Sequence, residues 1–191
     1  MNKILISFLF LIATSALAQK TIEASKIIND IKNGKNIAIK NAIIEGVLDL
    51  TFMNEATTKK NEQKSWWNYK GYNNTVKKQI ETKISFIDVT FKNDVLAYIP
   101  TEGEGYTYIA NFENDVTFKN CVFKRRAMFK YSEFEQNTTF QGSNFEDENT
   151  FKYTQFTNFV SFSNTVFNET ATFKYTKFYK GVSFKNANFK E

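Results

Sequence analysis

Residues 127–156 read AMFKYSEFEQNTTFQGSNFEDENTFKYTQF, and the phenylalanines of this stretch, at 129, 134, 140, 145, 151 and 156, decide the fold. Their steps alternate five and six. Working outward, the same ladder runs back to Phe112, Phe118 and Phe123 and on to Phe162, Phe167, Phe173, Phe178, Phe184 and Phe189, with only Phe159 off it. Two residues before each ring stands a small or short side chain, as at Ala127, Ser132, Thr138, Ser143, Asn149 and Thr154. An inward small residue and an inward ring separated by one outward residue is strand alternation, followed by a short polar corner. Helical periodicity cannot produce such steps. A hairpin meander would need turn signals about every 8–12 residues, in a chain with one proline.

The outward residues carry a longer period. Phe-Lys-Tyr recurs at 129, 151 and 173, which places Lys130, Lys152 and Lys174 in one column and Tyr131, Tyr153 and Tyr175 in the next, with Thr150 and Thr172 beside them. The sites between read Phe118-Lys119-Asn120, Phe162-Ser163-Asn164 and Phe184-Lys185-Asn186, so two kinds of 11-residue unit alternate. One coil therefore holds 22 residues on four short faces, each coil hydrogen-bonding to the next at roughly 4.8 Å. Each ring then lies over the ring one coil below in offset stacking. Phe118, Phe123, Phe129, Phe134, Phe140, Phe145, Phe151, Phe156, Phe162, Phe167, Phe173, Phe178 and Phe184 are the expected structural core, each ring worth about 1.5–3 kcal/mol if fully buried.

These small-x-Phe-x-x units resemble the pentapeptide-repeat family, whose consensus is Ala-Asp/Asn-Leu/Phe-x-x. The best matches are Ala110-Asn111-Phe112-Glu113-Asn114 and Ala187-Asn188-Phe189-Lys190-Glu191. The resemblance implies an all-β fold, a right-handed quadrilateral β-helix of about 22 residues per coil, here with a short N-terminal capping α-helix. Over four faces the mean step is 5.5 rather than 5, which predicts corners different from the square family form.

Composition narrows the function. The 191 residues carry a formal charge of +5, no histidine and one cysteine, which removes the commonest general base and metal ligand and excludes a disulfide framework or multi-thiolate zinc site. Met1 to Lys3 are a cationic start, Ile4 to Ile12 an apolar run, and Ala16-Leu17-Ala18 a small-x-small cleavage pattern. Residues 1–18 are thus expected to be a signal peptide cut before Gln19, with no lipobox cysteine and no transmembrane segment in the mature chain, giving a periplasmic or secreted product.

Ala24, Ile27, Ile28 and Ile31 sit at helical spacing between Thr21 as N-cap and Gly34 as stop, predicting a capping helix within 19–34. The β-helix then spans 35–191. Counting four centres per coil gives Ile39, Ile44, Leu50 and Ile80, then Phe86, Phe91, Ala97 and Phe112. Insertions near 53–79 and 98–108 then fall at one corner of adjacent coils. They hold Trp66, Trp67, Tyr69, Tyr72, Tyr98, Tyr106 and Tyr108, of which Trp66, Trp67, Tyr69, Tyr106 and Tyr108 are candidate binding residues, unless the aromatics form a satellite core.

No catalytic, metal or cofactor constellation is expected. Glu102 and Glu104 on a glycine loop, and Glu146-Asp147-Glu148 at a corner, read as solvated acids, and Cys121 as a buried small residue. Lys130, Lys152 and Lys174 interleaved with Tyr131, Tyr153 and Tyr175 suit a polyanion or glycan, although tyrosine, threonine and lysine are also ordinary surface strand residues. The function that fits is an exported, non-enzymatic scaffold or binding protein of the bacterial envelope, with an envelope protein or polysaccharide as partner and nucleic acid disfavoured. Family members that mimic DNA and protect type II topoisomerases have acidic surfaces, unlike this chain. A glycan-active enzyme would need two acids held rigidly about 5 to 9.5 Å apart. The ladder runs to Phe189, so a homodimer through the C-terminal coil is also expected.

Overall fold

The computed structural model describes residues 19–53, 74–100 and 106–190. Parallel strand pairs join residues 22 apart: Thr138 pairs with Val160 and Val160 with Val182, Asn144 with Val166, Asn149 with Ala171, and Gln155 with Lys177. Each coil contributes one short strand to each of four faces, as Thr138–Thr139, Asn144–Phe145, Asn149–Thr150 and Gln155–Phe156 do in sequence. The chain is an all-β, right-handed β-helix with one short helix among the described residues.

Phenylalanine columns fill the interior. On the first face Phe86, Phe118, Phe140, Phe162 and Phe184 stack with centroids 5.1–5.4 Å apart. Phe129, Phe151 and Phe173 stack on the third face at 5.3 and 5.0 Å. Columns meet edge to face, as where Phe140 touches Phe129 and Phe151 at 5.4 and 5.3 Å. Rings from Phe112 to Phe167 on the ladder are buried. Phe173, Phe178 and Phe184, expected in the core, are only partly buried, and Phe189 is half exposed. Among the described residues no further coil packs beneath them.

Two kinds of corner absorb the mean step of 5.5. The five-residue corners are β-turns with a left-handed residue at the third position: Ser132 N–H donates to Phe129 C=O (3.2 Å) across Tyr131 at φ +64°, and Thr154 N–H to Phe151 C=O (3.0 Å) across Tyr153 at φ +59°. This is the type II pattern. At the six-residue corners positive φ falls, among the described residues, only on Gly46 and Gly181.

The residue closing each five-residue turn does more than leave room for a ring. Ser143, Thr154, Thr165 and Thr176 donate their hydroxyls inward to the carbonyls of Phe118, Phe129, Phe140 and Phe151, at 2.7–2.9 Å. Cys121 holds the same position, with Sγ 3.5 Å from the Phe86 carbonyl, and burial pushes its thiol up to about 12. It is a poor hydroxyl substitute rather than a nucleophile. Cys121→Ser is expected to leave the thermal midpoint unchanged or raise it, while Cys121→Val, which removes the donor, loses about 1 kcal/mol. Equal midpoints for the two variants would show that the hydrogen bond contributes nothing.

The N-terminal end differs from expectation at one residue. Thr21 is not a helix cap: it lies in a strand, Lys20–Glu23, paired parallel with Ala42 to Glu45, and Glu23 stands at the cap position without a side-chain cap bond. Adding a strand to the first coil satisfies backbone groups that would otherwise face solvent on that edge. The helix Ala24–Lys32 then lays Ala24, Ile27 and Ile31 into the same cluster as Ile37, Leu48 and Leu50. It ends in a Schellman motif, with Gly34 at φ +72° and Lys35 N–H donating to Asp30 C=O at 3.0 Å.

Register places the extra residues of the two long coils. Ile37 pairs with Ile84, 47 residues on, and Ile84 with Val116, 32 residues on, against 22 elsewhere, so these coils hold 25 and 10 additional residues. Leu48 pairs with Val95 on the third face and Ile80 with Phe112 on the fourth. Both additions therefore leave from the corner between those faces. Their inner ends are not loops: Asn74–Ile80 pairs along its whole length with Tyr106–Phe112, and Tyr98–Pro100 folds back antiparallel on Tyr106–Phe112.

Candidate functional site

The corner between the third and fourth faces gathers the aromatic residues. Tyr131, Tyr153 and Tyr175 stack down it with centroids 5.0 and 4.8 Å apart and planes within 6° and 15°. Tyr98, from the base of the second insertion, continues the column upward, 5.8 Å from Tyr131. Lys130 Nζ lies 4.8 Å from the Tyr98 ring centre, 4.9 Å from that of Tyr131 and 3.3 Å from the Tyr98 hydroxyl. Lys152 and Lys174 sit over Tyr153 and Tyr175 at 5.2 and 5.1 Å. In the first coil Phe52 takes the corresponding turn position at φ +53°, with Lys32 and Lys78 over its ring at 5.5 and 5.2 Å.

Two sets of candidates that the sequence offers separately, the Lys-Tyr columns and the insertions, thus share one edge of the solenoid. Trp66, Trp67, Tyr69 and Tyr72 lie outside the described residues, as do Glu102 and Glu104. Tyr106 is half-buried. Tyr108 is a correction, because it is fully buried and its hydroxyl has no hydrogen-bond partner. The pairing of Tyr106–Phe112 with Asn74–Ile80 on one side and Tyr98–Pro100 on the other turns that ring inward, so it packs rather than binds.

Backbone conformation sets this corner apart from the one diagonally opposite. There the left-handed positions are Asn41, Asp88, Asn120, Gly142, Asn164 and Asn186, residues suited to positive φ. A Cβ on Gly142 would come 2.3 Å from Asn120 Oδ1, so even glycine is tightly placed. The tyrosine corner puts bulky rings where asparagine or glycine is at ease, at φ +59° to +64° in three successive coils. Nothing in a residue-by-residue reading of Phe-Lys-Tyr signals that strain. The clue available was the alternation of Tyr with Asn at equivalent steps.

Charge also divides the corners. Between the second and third faces the first four coils are ion-paired in succession: Lys92 with Glu45 (3.3 Å), Arg126 with Asp94 (2.6 Å), Lys124 with Glu146 (2.7 Å) and Arg125 with Asp147 (3.9 Å). The Asp94 carboxylate raises the Arg126 pKa further. Glu146 and Asp147 thus serve this ladder, which is exposed and worth little per pair. At the tyrosine corner, among the described residues, Lys130, Lys152 and Lys174 have no carboxylate partner.

Comparison with known families agrees with this geometry. The family model described as pentapeptide repeats (9 copies) matches residues 110–155 and 151–191. Neither curated proteins nor solved structures gave a match. Residues 110–191 carry both the family pattern and the tyrosine corner, and the coils before them continue the same faces in register. Residues 110–191 of this chain are pentapeptide repeats.

Proposed function

We propose that this protein is an exported, non-enzymatic scaffold of the bacterial envelope that engages another envelope component through the tyrosine corner. Export follows from the cationic, apolar and small-x-small segments of residues 1–18, and no helix among the described residues is long and apolar enough to cross a membrane. The observation that carries the reading is the strained, stacked column Tyr131, Tyr153, Tyr175. Backbone strain of order 1–3 kcal/mol per residue persists where surrounding structure enforces it and clusters at working surfaces. The uncompensated lysines of this corner oppose the DNA-mimic reading, which requires acids in such a place. End-to-end pairing through the last coil would cover its open rings. Lys174, Lys177, Lys180, Lys185 and Lys190, set against Glu169 and Glu191, would oppose that pairing except at high salt.

The test is retention of separated envelope protein and polysaccharide fractions on the immobilised mature chain and on Tyr153→Asn. The expected result is one fraction held by the wild type and lost from the variant. Equal retention by both would remove the corner from the function.

A further inference from the structure

We propose that the tyrosine corner binds a linear carboxylated polysaccharide laid parallel to the solenoid axis, one acidic sugar per coil. This rests on the reading of the corner as the binding edge and adds the ligand's chemistry.

The ring faces are closed. With centroids 4.8–5.0 Å apart and planes within 15°, each of the three tyrosines covers its neighbour, leaving edges and phenolic hydroxyls outward. Intercalating or stacking ligands such as nucleic-acid bases need open faces, and here only the end of the column offers one. What the edge presents instead is a repeating set of phenolic hydroxyls and ammonium groups, beside the buried Thr150, whose Oγ1 accepts from the Lys152 N–H at 3.2 Å. Lys152 is half-buried while Lys174 is exposed, and neither has an acidic partner among the described residues. An ammonium held over a ring keeps donors free for an external anion.

The repeat supplies the second half of the argument. Successive ammonium groups recur once per coil, at strand spacing of about 4.8 Å. An extended β-linked polysaccharide advances by nearly that distance per sugar and turns its carboxylates to alternate sides, so carboxylates two sugars apart can meet Lys130 and Lys174, two coils apart, with sugar hydroxyls against the phenols between. The coils with the Lys-Tyr pair are those of Lys130, Lys152 and Lys174, so affinity should grow with oligomer length and level off near three sugars.

The opposite corner provides a matched control, because Lys119 and Lys185 occupy the same turn position before Asn120 and Asn186. β-1,4-linked oligomannuronates of two to six sugars, the methyl-esterified polymer and single-stranded oligo-dT are titrated by calorimetry into the mature chain. Binding of the acidic oligomers with a plateau near three sugars, and none of the neutral ester, is expected. Lys130→Gln with Lys174→Gln should weaken binding about tenfold or more, at three- to fivefold per exposed charge-assisted contact. Lys119→Gln with Lys185→Gln, the same change in net charge, should leave it within twofold. Equal losses in the two double variants, no length dependence, or tighter binding of oligo-dT would each overturn the ligand class. If Tyr153→Asn still abolishes capture of an envelope fraction while polyuronate fails to bind, the ligand class falls and the binding edge stands. If neither depends on the corner, both fall.

Discussion

Replacing Phe140 by alanine is expected to cost about 3–5 kcal/mol of stability. The ring is fully buried, stacked between Phe118 and Phe162 at 5.4 and 5.1 Å, and met edge-on by Phe129 and Phe151. Its loss opens a void that neighbours in rigid columns cannot fill, so transfer and cavity terms add. At about 2–4 °C per kcal/mol for a chain of this size, the midpoint should fall by roughly 10 °C. Lys119→Ala, on the exposed face, should shift it by no more than about 0.5 kcal/mol. A loss below about 1 kcal/mol for Phe140→Ala would mean that the columns are not the support of the fold.

Ile27→Asp should cost nearly as much and add a change of association state. Ile27 is 2% exposed, on the face of the helix Ala24–Lys32 that lies in the core of the first coil. A carboxylate there has no partner to offset its desolvation, and about 3 kcal/mol or more follows. Releasing the helix uncovers Ile37, Leu48 and Leu50 at an open sheet edge, which recruits other chains. Sedimentation should therefore show higher oligomers for Ile27→Asp and none beyond the wild type for Lys26→Asp, its exposed neighbour. A soluble Ile27→Asp protein with wild-type stability and size would show that the helix does not cap the solenoid.

What the sequence disclosed and what it hid divide along physical lines. Burial of a ring leaves a mark at each position it acts on, so the five-six ladder, the 22-residue coil and the stacking of Phe129 on Phe151 were legible. The centres assigned at Ile80 and Ala97 rested on the same regularity, and the register carries Ile80 onto Phe112. Backbone dihedrals leave no such mark. Tyr131, Tyr153 and Tyr175 read as ordinary outward strand residues, yet each sits at positive φ. Thr21 was equally suited to a cap and to a strand, and only the edge it could cover decided between them. Ser143, Thr154 and Thr165 were legible as small but not as donors to carbonyls 25 residues back. Tyr108 resembled its insertion neighbours until the hairpin with Tyr98–Pro100 enclosed it.

The claim that the tyrosine corner exists for binding rather than for the fold is tested most directly by the unfolding free energy of Tyr153→Asn. Asparagine suits the left-handed turn position, so relief of backbone strain should offset the loss of two stacked neighbours and a half-buried cation, each worth about 0.5–1.5 kcal/mol. Stability within about 1 kcal/mol of the wild type is the expected result. A loss on the scale of Phe140→Ala, about 3 kcal/mol or more, would contradict it and make the column part of the structural core.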